Sequence, residues 1–412
     1  MLSVAWFRRL LSDQGGNAIF LTVATLPLLI GSAATAIDVI QLSLSKRQMQ
    51  RAADSGALAG AYAVAQSKEA AESVSRDLEL NSRVTLSQLP TVENAPTVGP
   101  YAGDNQAVRV ALTAQRSLPF ISFFTNSATT IAVEATAKIV RRGKYCMVAL
   151  EEGDVTGISF TGNADVKLGC GVVSNSRSSN AVTASGSATV VASPVSAVGG
   201  VPASSSYAGG TEVIPYVTKQ PDPFANLPVP QATGCQDKVS VGSKDTLALT
   251  PGCYRGLDIK GTVTLAPGTY YIAGDAFDLG AQANVSGEGV TIILTSETPT
   301  DSSSFADLEM NGGATLNLTA PTSGTYAGVL FYQDARAPLS ESKINGNSGS
   351  VLEGALYFPS KSLTFNGNSG MTSTCIQLIA RTLSFSGSSS LTNDCPAGNP
   401  AGYDALFVRL VG

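Results

Sequence analysis

Between Gln14 and Ile37 the chain reads QGGNAIFLTVATLPLLIGSAATAI, without one charged side chain. A helix of ~20 apolar residues crosses a bilayer core, and this stretch is long enough to supply it. In hydrocarbon every backbone N–H and C=O needs a partner inside the segment, which leaves a helix as the available structure. Pro27 lies mid-span, Arg8 and Arg9 precede the stretch, and Asp38 closes it. A cleaved secretory signal would instead end at small residues and give way to a new domain. Here the chain runs on into a further helical pattern, so residues 1–38 are expected to be a cytoplasmic lead-in and a retained transmembrane helix. The cations at Arg8 and Arg9 favour an N-terminus inside and the remainder exported. Lys46, Arg47 and Arg51 pull against that orientation, and six cysteines beyond the span restore it.

From Val39 to about Leu80 there is no proline, and the pattern predicts one long helix continuing out of the span. Small residues recur every four positions, with Ala53, Ala57 and Ala61 on one row and Gly56 and Gly60 on the next. Such rows admit a second helix at close range; they serve equally to pack the helix on its own domain. After a loop marked by Pro90, Pro96, Pro100 and Gly103, Val108–Leu112 and Ile131–Ile139 alternate apolar with polar residues. That period predicts half-buried antiparallel strands. Between them lies the apolar run Leu118 to Phe124. Residues 39–144 thus form a modest α+β unit.

Beyond Lys144 short apolar runs alternate with Gly, Asn and Ser turns. ISFTGNADVKLGCGVVSNS (158–176) and LTFNGNSGMTSTCIQLIA (363–380) are variants of one phrase, with further copies around Gly186, Gly312, Gly346 and Gly387. Gly346, Gly367 and Gly387 are roughly twenty residues apart, one coil of a solenoid. Only 14% of residues are charged and 41 are glycine, a composition suited to short strands with small inward side chains. The expected fold is therefore mixed: a long N-terminal helix with a small α+β unit, then an all-β right-handed parallel β-helix over 145–412. A proline-rich excursion at about 199–233 separates two halves of it, and the terminal ALFVRLVG is expected to cover its open end.

The cysteines fall in three couples, Cys146 with Cys170, Cys235 with Cys253, and Cys375 with Cys395. No C-x-x-C pair occurs, which argues against zinc. Residues one coil apart lie ~5 Å apart in a stack of strands, within reach of a disulfide. Three local bridges are expected, in an oxidising compartment.

No histidine occurs, which removes Ser-His-Asp and Cys-His catalysis and the commonest metal ligand. A net charge of −5 without a basic block argues against nucleic acid. The best carboxylate pair is Asp275 with Asp278, read more readily as turn aspartates than as an acid and base. Asp258, Asp334, Glu341 and Glu353 stand singly. Asp301-Ser302-Ser303-Ser304-Phe305 departs from the metal-adhesion pattern D-x-S-x-S at its last position. No catalytic, cofactor or metal residue is expected, and no cofactor.

The N-terminal third resembles the TadE/TadG-like proteins of tight-adherence (Flp) pilus assembly. The resemblance rests on Gln14 to Phe20, Leu26-Pro27, Ala36-Ile37-Asp38 and above all Lys46 to Ala61, KRQMQRAADSGALAGA. It lies closest to the TadG side and implies an inner-membrane anchor, a periplasmic or extracellular bulk, and other Tad assembly proteins as partners. Two features depart from it. Gly16 is followed five residues later by Leu21 where a pilin-type processing site would carry Glu, and a solenoid stands where a von Willebrand A domain can occur. The expected role is a non-enzymatic pilus-assembly or pilus-associated protein whose solenoid contacts protein, pilus or surface glycan. The alternative is a tethered β-helix enzyme on extracellular polysaccharide.

Overall fold

The structure is a computed structural model that describes residues 14–66, 68–81, 85–122, 128–345, 349–367, 370–393 and 403–411. It divides into two compact units, Met1–Val140 with Val408–Gly412, and Arg141–Phe407.

In the first unit, helix α1 spans Gln14–Ala65 with Pro27 inside it. The expected single helix to Leu80 stops there. The N–H groups of Gln66 and Lys68 both donate to the Ala63 carbonyl, and a second helix, α2 (Ala70–Asn81), returns along the first. The reason is the stripe Ala70, Val74, Leu78, spaced by four and buried. A straight helix would leave that stripe in water; the reversal buries it. Strands β1 (Thr91–Asn94), β2 (Ala107–Arg116) and β3 (Thr129–Ala149) follow and pair antiparallel in order. Val108, Val110, Leu112, Ile131, Val133 and Ala135 face the helices in one core. The other face carries Arg109, paired with Glu93 at 3.0 Å and also with Glu134, and Lys138, paired with Asp104 at 2.5 Å.

The chain ends in a strand, Tyr403–Leu410, whose Phe407 packs against the cluster of Tyr145, Val148 and Val173 in the second unit. Val408 packs on the core of the α+β unit, and the Val411 N–H donates to the Thr136 carbonyl of β3. The edge of β3 away from β2 offers unpaired carbonyls, and a returning strand satisfies them.

The second unit is built of parallel pairs. Ile158–Phe160 pairs with Val182–Ala184, Asp165–Leu168 with Thr189–Val191, and Gly171–Ser174 with Val195–Ala197. Each strand thus meets the one three places on, and the rule holds again from Val239–Val241 onward. Alternation puts every second residue of these strands into a common core, one such column being Ala184, Phe160, Phe385, Phe365, Ile344, Met310.

The repeats do not stack in sequence order. Ile376–Phe385 pairs with Ser350–Phe365 on one side and with Met147–Ala149 and Ile158–Phe160 on the other. Ser390–Asn393 pairs with Asp165–Leu168. The last repeat therefore lies against the first, in the interior of the stack. Two edges that would each face water are removed by this one junction. Its centre is aromatic: Phe385 stacks on Phe365 at 4.5 Å and on Phe160 at 5.5 Å between ring centroids. Gly162, Gly186, Gly367 and Gly387 all adopt φ between 69° and 75°. A Cβ on Gly162 would meet the backbone of Gly387 at 3.0 Å, so this corner column also crosses the junction. The Gly346 corner lies outside the described residues.

The proline-rich stretch carries the chain from one end of the stack to the other. Asn175 exchanges hydrogen bonds with the backbone of Gln220 at 2.8 and 2.9 Å. The Tyr357 hydroxyl donates to Asp222 at 2.7 Å, and Arg336 donates to the Pro230 carbonyl at 2.9 Å. Phe224 and Leu227 pack on Tyr332 and Tyr357. The stretch is an outer strap held by side chains from three separate repeats.

Candidate functional site

Two places carry the residues that sequence singled out. On α1, every described residue from Leu21 to Ala33 is exposed, and burial begins at Ala34 and Asp38. The helix thus has an apolar half free of its own unit and a half packed within it. It is long and apolar enough to cross a membrane. The packed half bears both small-residue rows. Ala53, Ala57 and Ala61 are fully buried. A Cβ on Gly60 would sit 2.8 Å from Val108 and 2.9 Å from Val74; one on Gly56 would sit 3.3 Å from Val74. The rows are therefore filled by β2 and α2 of the same chain, the second of the two uses open to them.

Sequence reading assigned no role to Asp38. Its carboxylate is fully buried and accepts the N–H groups of Phe120 at 3.1 Å and Ile121 at 2.7 Å. The signal was present, since Asp38 is the first charge after the uncharged stretch, but its partners lie over eighty residues away.

The structure joins Cys146 to Cys170 and Cys235 to Cys253, with Cα atoms 5.8 and 4.5 Å apart. Both distances suit a disulfide. The first ties the end of β3 to the start of Gly171–Ser174, its parallel neighbour. The second clips the end of the strap to Gly252–Tyr254. Cys375 is disulfide-bonded too, while Cys395 lies outside the described residues. The strands on either side of Cys375, Gly370–Ser373 and Ile376–Phe385, are interior ones, each paired on both sides.

The carboxylates Asp275 and Asp278 are not brought together as one site. Asp275 is held below the usual carboxylate range by Lys238, whose Nζ lies 2.7 Å away, helped by the Ala276 N–H. Asp278 instead lies beside Glu309 on the neighbouring strand, and Glu309 lies beside Lys343. With Asp307 and Glu341 these line a groove on the outer wall. Lys361, itself buried, reaches Asp307 at 2.6 Å. Asp334 is buried against Arg336 and Thr295; Asp301 caps a 3-10 turn; Glu353 accepts from Thr374. Asp258 pairs with Lys260 at 3.2 Å. Asp334, Asp301, Glu353 and Asp258 are thus each held by a hydrogen bond or ion pair within the fold. Among the described residues no cluster of three or more metal-ligating side chains occurs.

Comparison with known proteins places these features. No curated protein matches the chain. A crystal structure of the competence-associated pilin ComZ from Thermus thermophilus is similar at 11% identity over 82% of this chain and 91% of that one. The TM-score between the two is 0.22. Residues 16–65, which hold the uncharged stretch, Asp38 and both small-residue rows, match the family described as putative Flp pilus-assembly TadE/G-like, and over that segment the chain is TadE/G-like.

Proposed function

We propose that this is a membrane-anchored, non-enzymatic protein of Tad/Flp pilus assembly that presents a parallel β-helix outside the inner membrane. One observation carries the reading. The TadE/G-like segment coincides with a helix whose first half is apolar and exposed and whose second half is packed into a small domain. The three-strand repeat of parallel pairs supports closed coils, since each coil can bury its apolar side only against its neighbours. The disulfides support an oxidising, exported location for the bulk of the chain. Such a stack offers a rigid outer wall to a pilus component, another assembly protein or a glycan. Affinity capture from membranes with the full chain is the test. Recovery of Tad assembly components is expected, and their absence, together with normal pili in a deletion strain, counts against the proposal. Protease added to spheroplasts should leave only the first forty or so residues protected, a length set by the ~20-residue span and its lead-in.

The groove of Asp278, Asp307, Glu309, Glu341 and Lys343 favours a second reading, a tethered enzyme on polysaccharide. Asp278 and Glu309 are register partners on adjacent strands, which lie ~5 Å apart, a separation at which two carboxylates can divide acid and nucleophile roles. Cleavage of any member of a glycan panel, lost in Glu309→Gln, would support it; no cleavage would remove it.

A further inference from the structure

The apolar run between β2 and β3 has a use that the packing of its unit leaves open. Leu118 is buried, but the next apolar side chains, Phe120 and Ile121, are 39% and 38% exposed. They do not point into the core. Together with Leu26, Pro27, Ile30 and Ala34 of α1 they line an apolar cleft. That cleft lies along the uncharged stretch, not beside the packed half of the helix. At ~1.5 Å of rise per residue, Leu26 is about 18 Å along α1 from Asp38. The uncharged stretch is about 36 Å long on the same rise, against a hydrocarbon core of ~30 Å. With Asp38 at the outer interface, the cleft runs from near that interface to about the middle of the core.

We infer that the Leu118–Ile121 turn is a second membrane contact, a hook inserted beside α1 in the outward leaflet, with a lipid acyl chain against Phe120 and Ile121. The inference rests on the anchored reading of α1. Ile121 and Ser122 open a helical turn, and the first amides of a helix find no carbonyl within it; held beside Asp38 at the edge of the hydrocarbon, they need an acceptor of their own. Asp38 supplies it: its carboxylate takes both the Phe120 and the Ile121 N–H. The Ser122 N–H is taken in turn by the Leu118 carbonyl. The device combines an exposed apolar tip with a backbone already satisfied internally. The occupant is lipid because the cleft is continuous with the exposed apolar surface of the span, where Leu28 and Ile30 are 74% and 57% exposed.

The test uses the full chain in nanodiscs of phosphatidylcholine and phosphatidylglycerol, with or without brominated acyl chains. Trp6 is the sole tryptophan, so Trp6→Phe gives a silent background. Ile121→Trp and, separately, Leu28→Trp are introduced into it. Brominated lipid is expected to quench Ile121→Trp as strongly as Leu28→Trp, with acrylamide quenching neither. Adding Asp38→Ala should reduce the quenching of Ile121→Trp and spare Leu28→Trp. Quenching of Leu28→Trp alone, with Ile121→Trp open to acrylamide, overturns the hook and keeps the anchor. Failure of brominated lipid to quench either overturns both. Blue-shifted Ile121→Trp emission that neither quencher reaches shows a protein partner in the cleft and overturns the lipid assignment.

Discussion

Gly60→Ala separates two forces that act in opposite directions on α1. Considered as an isolated helix, the substitution should help, since alanine is favoured over glycine by ~1 kcal/mol in a helix interior. Considered in its packing, it should harm. The new methyl would stand 2.8 Å from Val108 Cγ1 and 2.9 Å from Val74 Cγ2, closer than carbon atoms approach without something shifting. Both valines are fully buried, and a β-branched side chain has little rotamer freedom with which to retreat. Overpacking a core costs ~1–3 kcal/mol. Subtracting the helix gain leaves about 0–2 kcal/mol of net destabilisation, centred near 1. Gly56→Ala is the control. Its nearest neighbour would be Val74 at 3.3 Å, so the two effects should nearly cancel. Hydrogen exchange of the full chain in nanodiscs reads this locally, at the amides of α2 and β2. A tenfold loss of protection corresponds to ~1.4 kcal/mol. Gly60→Ala is expected to lower protection there several-fold while Gly56→Ala leaves it within a factor of about two. Higher protection in Gly60→Ala would refute the reasoning, because it would mean that helix propensity governs α1 and that the close approach is not tight.

Three further outcomes follow from the second unit. Phe385→Ala removes the middle ring of the stack that joins the last repeat to the first, at an expected cost of ~3–5 kcal/mol; calorimetry should show a fall in Tm of roughly 10 °C. Tyr357→Phe deletes the hydroxyl that donates to Asp222 at 2.7 Å, a bond to a charged acceptor worth ~1.5–3 kcal/mol, and should speed proteolysis within 218–230 while sparing the repeats. Glu151 is held below its ordinary value of 4.5 by the Gly153 N–H and by Arg381, whose Nη1 lies 2.8 Å away across the same junction. A carboxylate depressed in the folded state stabilises above its unfolded pKa and loses that contribution as pH falls through the folded one. Melting followed from pH 6 downward should therefore show the native chain losing stability below about 4.5, and Glu151→Gln losing less.

Sequence alone determined the elements whose causes are local. The uncharged run Gln14–Ile37 makes a helix because hydrocarbon and backbone permit little else. The alternation at Val108–Leu112 and Ile131–Ile139 makes strands with one buried face, and both appear as read. The phrase around Gly162, Gly186, Gly367 and Gly387 gives short strands about a positive-φ corner, and these four have it, while Gly312 does not. The cysteine couples 146–170 and 235–253 were legible because each spans one repeat. Only the tertiary structure decided which repeat meets which. Parallel pairing is set by contacts between strands distant in sequence, and every repeat here is a plausible neighbour for every other. Nothing in Ile376–Phe385 says that it pairs with β3, or that the strap spans the stack so that the last repeat can close on the first. The turn after Ala65 was hidden for the same reason: Ala70, Val74 and Leu78 continue the helical period, and only a core to bury them against makes the chain reverse. Asp38 states the difference most simply. Its position at the end of the span was visible, but the two amides it holds come from a loop that only the folded chain brings to it.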